Sequence, residues 1–122
     1  MPTNAAGRRQ ERLAEQIRDE IAEKLALGEL QDPRIGFTTV TRVELTPDLS
    51  HARILVSVLG SEEVQLNTIA GLSSAAGYLR REITRRLRLR RSPELTFILD
   101  HGPEEALKIE GLLEKLRNDM EK

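Results

Sequence analysis

Residues 72–93 read Leu72-Ser73-Ser74-Ala75-Ala76-Gly77-Tyr78-Leu79-Arg80-Arg81-Glu82-Ile83-Thr84-Arg85-Arg86-Leu87-Arg88-Leu89-Arg90-Arg91-Ser92-Pro93. Two helical patterns meet in this stretch. Upstream, Leu66, Ile69, Leu72 and Ala76 recur at intervals of three and four and mark the buried side of one helix. After Gly77 the spacing resumes with Leu79, Ile83 and Leu87. Glycine disfavours helix by about 1 kcal/mol relative to alanine. A helix, a break and a second helix are therefore expected. The small residues Ala75, Ala76 and Gly77 permit a kink and the close approach of another backbone. They would also let phosphate approach free N–H groups where the second piece starts. Ser92-Pro93 ends the element, because proline lacks the donor and restricts the residue before it.

Working outward, Leu95, Phe97 and Leu99 alternate and predict a strand after the broken helix. Before it, Ser61-Glu62-Glu63 supplies a hydroxyl cap and acids for the positive end of the helix dipole. Further upstream, Ala52, Ile54, Val56 and Val58 alternate, and Phe37 to Leu45 is rich in Thr and Val. Val40 is out of step with Val43 and Leu45, a slip that a bulge would absorb. Thr46-Pro47-Asp48-Leu49-Ser50 is turn chemistry, so the two strands should form an antiparallel hairpin. Leu13, Ile17, Ile21 and Leu25 predict a helix from Arg9 to about Leu27, with Gly28 as its stop. Asp32-Pro33-Arg34-Ile35-Gly36 reads as a turn. Gly102-Pro103 opens a last helix with Ala106, Ile109, Leu112, Leu113 and Leu116. The order is helix, strand, strand, broken helix, strand, helix. It implies one α+β domain over residues 1–122, with the helices on one face of a three-stranded sheet. Residues 1–8 and about 117–122 read as frayed ends.

The chain has 122 residues, the size of one ordinary domain. It contains no cysteine, which excludes disulfides, zinc–thiolate sites and a thiol nucleophile. There is no apolar run behind a basic start and no stretch long enough to cross a bilayer, so a cytoplasmic protein is expected. Aromatic residues are limited to Phe37, Tyr78 and Phe97. Recognition of bases by aromatic stacking is therefore disfavoured.

The net charge of −1 conceals an uneven distribution. Arg80, Arg81, Arg85, Arg86, Arg88, Arg90 and Arg91 stand against Glu82 alone, seven charges against one, so the segment carries +6 and the rest of the chain −7. Such a block repels itself unless a polyanion faces it. Arginine also grips phosphate with a planar fork. Helical spacing sets Arg81, Arg85 and Arg88 opposite the Leu79–Ile83–Leu87 stripe, which makes them the first candidates for contact with an anionic partner such as nucleic acid. Arg80, Arg90 and Arg91 come next. Arg8, Arg9 and Arg12 form a smaller basic cluster, a possible secondary contact that reads more simply as a solvated helix start. His51 and His101 have no ligand spacing around them. Glu62-Glu63 and Glu104-Glu105 suit helix starts, and Asp48 suits its turn. No catalytic constellation, glycine-rich phosphate loop or metal motif is legible, so no enzyme, cofactor or metal is expected.

Taken together, the ordered motifs resemble the ribosome-binding factor A family along nearly the whole chain. The resemblance rests on Asp32-Pro33-Arg34-Ile35-Gly36-Phe37, on Val43-Glu44-Leu45-Thr46-Pro47-Asp48-Leu49-Ser50-His51-Ala52 and on Val56-Ser57-Val58-Leu59-Gly60. It continues through Ser74-Ala75-Ala76-Gly77-Tyr78-Leu79-Arg80 and Arg86 to Phe97, and closes with Asp100, Ile109 and Leu112-Leu113. It implies a KH-like (type II) fold. The Gly-x-x-Gly loop with which KH domains clamp nucleic-acid backbone is missing. In its place the family has an Ala-x-Gly kink, matched by Ala75-Ala76-Gly77. The resemblance further implies a non-catalytic factor that binds 16S rRNA on the free 30S subunit. Such a factor would assist late maturation and 5′-end processing, support growth in the cold and be released with help from a GTPase. A monomer is expected. The alternatives are another KH-like RNA-binding or RNA-chaperone module, or an interaction domain for an acidic protein.

Overall fold

The computed structural model describes residues 5–120; residues 1–4 and 121–122, parts of the two stretches read as frayed, lie outside the described residues. The elements are α1 (Ala5–Ala26), β1 (Thr38–Leu45), β2 (His51–Val58), α2 (Glu62–Ser74), α3 (Ala76–Arg86), β3 (Glu94–Leu99) and α4 (Gly102–Met120). The order agrees with the reading from sequence. Helix extends into both stretches read as frayed, from Ala5 and as far as Met120.

The sheet has the order β1-β2-β3, with β1 antiparallel and β3 parallel to β2. The register of β1 against β2 shifts between Val40 and Arg42, which leaves Thr41 as the bulged residue. Val40, Val43 and Leu45 thereby all become buried. The Thr41 hydroxyl donates to the Asp100 carboxylate (2.7 Å) and lies 3.1 Å from Leu55 O, so the bulge is tied to the far end of β3. One sheet face carries Ala52, Ile54, Val56, Val58, Leu95 and Phe97. Ile17 and Ile21 of α1, Leu72 of α2, and Leu79 and Ile83 of α3 close over it, all fully buried. Burying a side chain of this size contributes about 1.5–3 kcal/mol.

Helix α1 stops as expected. Gly28 takes φ +66°, and Glu29 N donates to Lys24 O (3.1 Å). The left-handed residue lets the chain turn while satisfying the last carbonyls. The Lys24 side chain is buried between Glu29 (3.1 Å) and Glu82 (3.4 Å). Burial lowers its pKa, but the contacts with Glu29 and Glu82 outweigh it and hold the amine above its ordinary value.

Two expectations about the broken helix need correction. First, Leu66 is 57% exposed, whereas Gln65 and Thr68 are buried. The cause is unsatisfied backbone beside α2. The Gln65 amide donates to Gly60 O (3.1 Å), and the Thr68 hydroxyl accepts from Gly36 N (3.0 Å). A buried backbone group without a partner is costly, so the polar residues turn inward. Second, the close approach lies at Gly71 rather than at Gly77. A Cβ at Gly71 would meet Ile35 Cγ1 at 2.7 Å, while one at Gly77 would meet nothing nearer than Arg81 Nη1 at 3.6 Å. The helix breaks at Ala75, but the Asp32–Gly36 turn docks one turn earlier. Asp32 holds that turn. Its carboxylate accepts from Arg34 N (2.9 Å) and Arg34 Nη2 (2.6 Å), and it is pulled to about 2 by that guanidinium.

Helix α4 has no buried residue, and Leu107, Ile109, Leu112, Leu113 and Leu116 are exposed. Among the described residues no helix is long and apolar enough to cross a membrane.

The two glycines separate packing from propensity. Gly71→Ala should lose about 1–2 kcal/mol in urea unfolding, because overpacking exceeds the helix gain. Gly77→Ala should be neutral or gain up to about 1 kcal/mol. Equal effects would mean that the turn does not press on α2.

Candidate nucleic-acid interface

The seven arginines of residues 80–91 divide into two groups. Arg80 Nη2 and Nε donate to Ser92 O (2.8 and 3.2 Å). The Thr84 hydroxyl meets Ser92 Oγ at 2.8 Å. One side of α3 thus holds the chain as it enters fully buried Pro93. Arg85 pairs with Glu82 (3.0 Å) and Arg86 with Glu20 (2.9 Å). Among the described residues, no hydrogen bond or ion pair engages the side chains of Arg81, Arg88, Arg90 and Arg91, nor those of Arg9 and Arg12.

Arg88 does not continue the helical stripe of Arg81 and Arg85. Helix α3 ends at Arg86, and Arg88 takes φ +53°. Leu89 N donates to Thr84 O (3.0 Å) and Arg88 N to Arg85 O (3.4 Å). This is the helix stop that Gly28 makes after α1, with arginine in the glycine position. Left-handed backbone costs a non-glycine residue about 1–2 kcal/mol. Among the described residues one other non-glycine residue takes positive φ: Leu49, at +62°.

Both residues line the same cleft, of about 440 Å³. Leu49 comes from the β1–β2 turn, Arg88, Arg90 and Arg91 from the α3–β3 connection, and Arg9 and Arg12 from the start of α1. The Arg9 and Arg12 cluster and the end of the arginine block therefore share one site. Arg8 is exposed at the same end of α1 but does not line the cleft. The register brings the parts together: His51 pairs with Glu94, and Glu94 N donates to Ser50 O (2.9 Å). Leu13, Leu49, Leu89 and Pro93 form the apolar part of the wall.

One acid, Asp48, lies in the cleft wall, and Oδ1 of its carboxylate is held in the turn. It accepts from Thr46 Oγ1 (2.7 Å), Ser50 Oγ (2.7 Å) and Ser50 N (3.1 Å), and these donors hold it at about 2. The five arginines around it face little opposing charge. Ala75, Ala76 and Gly77 lie at the other end of α3. Ala75 caps α3 without a side-chain hydrogen bond, and Gly77 is exposed. The structure thus separates the break from the cleft.

The family model for ribosome-binding factor A matches residues 9–113. The chain belongs to the ribosome-binding factor A family. The match begins at Arg9 and takes in every element that lines the cleft. The ribosome-binding factor A of Thermomicrobium roseum is 46% identical over 93% of this chain and 88% of its own. That of Caldanaerobacter subterraneus is 46% identical over 88% of each chain. The crystal structure of the Thermus thermophilus factor is 32% identical, with a TM-score of 0.63 over 74% of this chain and 94% of that one. A homology model of the Thermus thermophilus factor, fitted into a cryo-EM map of its 30S complex, shares 33% identity, with a TM-score of 0.61 over 75% and 94% of the two chains. These relatives agree with the single α+β, KH-like domain described above.

Two measurements test the division of the arginines and the role of Asp48. Arg80→Ala should lose about 1.5–3 kcal/mol in denaturant unfolding, the range for hydrogen bonds from a charged group. Arg81→Ala should stay within about 0.5 kcal/mol of the parent. The Asp48 carboxyl, followed by NMR, should titrate near pH 2 rather than at its ordinary 3.8. Its folded pKa is the lower one, so its contribution is present above pH 4 and is lost as pH falls towards 2. A midpoint at the ordinary value would mean that the turn does not hold the carboxylate.

Proposed function

We propose that this chain is a non-catalytic assembly factor that binds 16S rRNA on the free 30S subunit. It acts in the cytoplasm as a monomer and assists late maturation and 5′-end processing, including in the cold. A GTPase helps to release it once the subunit is mature. The observation that carries this reading is the convergence of Arg9, Arg12, Arg88, Arg90 and Arg91 on one face, in a chain that matches the family from residue 9 to 113. The Thermus thermophilus relative, fitted as a homology model into a cryo-EM map of a 30S complex, supports the choice of subunit.

Within this reading the arginines have different tasks. Arg88, Arg90 and Arg91, with Arg9 and Arg12, contact phosphate, and Arg81 adds a contact further along α3. Arg80 and Arg85 already donate within the chain, so their first effect is to position the others. Arg8 extends the basic surface along α1. The Ala75-Ala76-Gly77 break gives α3 its direction.

Sedimentation of cell extract through a sucrose gradient should find the protein with free 30S subunits and not with 70S ribosomes. Residence at the top of the gradient at low as well as high salt would overturn the reading. For the isolated complex, replacing Arg90 and Arg91 together by Gln should lower the slope of log K against log salt by about 1.4–1.8. An unchanged slope would remove both from the interface.

A further inference from the structure

The cleft bounded by α1, the β1–β2 turn and the α3–β3 connection has a composition that phosphate binding alone does not require. A duplex backbone needs a cationic surface, and exposed arginines on any convex face would supply one. Here the cations ring a concavity of about 440 Å³ whose floor is apolar: Leu13, Leu49, Leu89 and Pro93. Pro93 is fully buried, and the three leucines are half-buried against the core. The floor is thus part of the fold. Leu49 and Arg88 are both held in left-handed backbone, and both line this concavity. Departures from favoured backbone concentrate where a site imposes a geometry.

We propose that this cleft receives a single unpaired nucleotide of the bound RNA, with its base against the leucine floor and its flanking phosphates on the arginine rim. The inference rests on the RNA-binding reading above and deepens it from phosphate contact to strand type. A base within a duplex has both faces stacked and cannot enter such a cavity. An unpaired base has free faces, and RNA-binding proteins bury these against side chains or arginine planes. Aromatic residues do not line the cleft, so Leu49 and Leu89 supply the apolar contact and the guanidinium planes the stacking. Gln16, also in the wall, offers an amide that can both donate and accept at a base edge. The charge fits the same occupant: five arginines line the cleft against the single carboxylate of Asp48. The site lies at the C-terminal end of α3, about 16 Å along its axis from the Ala75 break.

The test is fluorescence anisotropy of the full chain with two RNA probes of equal length, one unpaired and one a blunt duplex. The same variants are run with 30S subunits on a sucrose gradient. The parent should bind the unpaired probe at least about tenfold more tightly, the size of one good base contact. Arg88→Gly keeps a residue suited to φ +53° and should weaken unpaired-probe binding by about tenfold or more. Leu49→Gly likewise suits its backbone and should weaken the unpaired probe while leaving the duplex unchanged. If Leu49→Gly proves unstable, the methyl NMR signals of Leu13 and Leu89 in the parent give a second reading. They should shift with the unpaired probe and not with the duplex. Equal affinity for both probes, with unmoved methyl signals and retained 30S sedimentation, would overturn the base cleft and leave the RNA-binding reading intact. Loss of 30S sedimentation by the parent would overturn that reading itself.

Discussion

Strand β3 runs parallel to β2, with Glu94 opposite His51, and most of the functional geometry descends from that pairing. A parallel neighbour cannot be reached by a hairpin, so the chain must cross over through α2 and α3 before β3 can start. The crossover lays Leu72, Leu79 and Ile83 over the sheet face that α1 also covers. It also returns the chain to the end of β2 from which the β1–β2 turn projects. Two connections far apart in sequence, around Asp48 and around Arg90, become neighbours, and the start of α1 completes the cleft.

Arginine serves opposite purposes on the two sides of that boundary. Arg80 is half-buried and spends its donors on the Ser92 carbonyl, and Arg85 and Arg86 are neutralised by Glu82 and Glu20. The Arg80 contact holds α3 against the loop and the Arg86–Glu20 pair holds it against α1, while the Arg85–Glu82 pair lies within α3. Past the end of α3 the local acids give out, and the remaining cations lie in water. Asp48 sets one negative charge against five arginines, and two hydroxyls and a backbone N–H hold its Oδ1 in the turn. Screening by salt reaches such exposed charges more readily than the buried Lys24 amine held by Glu29 and Glu82.

The Asp32–Gly36 turn shows how a conspicuous motif can belong to packing. Asp32 grips Arg34, Arg34 reaches Ser74 Oγ at 3.1 Å, and Ile35 presses on the space above Gly71. The turn thereby braces α2 just before its break. Its polar residues bond one another and α2, away from the cleft.

Much of the fold was legible in the chain because periodicity reports burial. Alternation from Ala52 to Val58 marks β2, the slip at Val40 marks the bulge, and Gly28 marks the end of α1. These are local signals, set by the two- and 3.6-residue repeats of strand and helix. Gln65, Thr68 and Gly71 escaped the pattern, since their burial answers backbone and side-chain groups of the distant 34–36 turn and the end of β2. The motifs carried the family, and composition located the arginine block. By itself the sequence determined the elements, their order and the excess of positive charge near residue 90. Tertiary structure alone decided which arginines are used internally, and that Arg9 and Arg12 join Arg88, Arg90 and Arg91 around an apolar floor. The reason is physical: charge is a property of composition, but the partner of a charge depends on strand register and on where the chain returns.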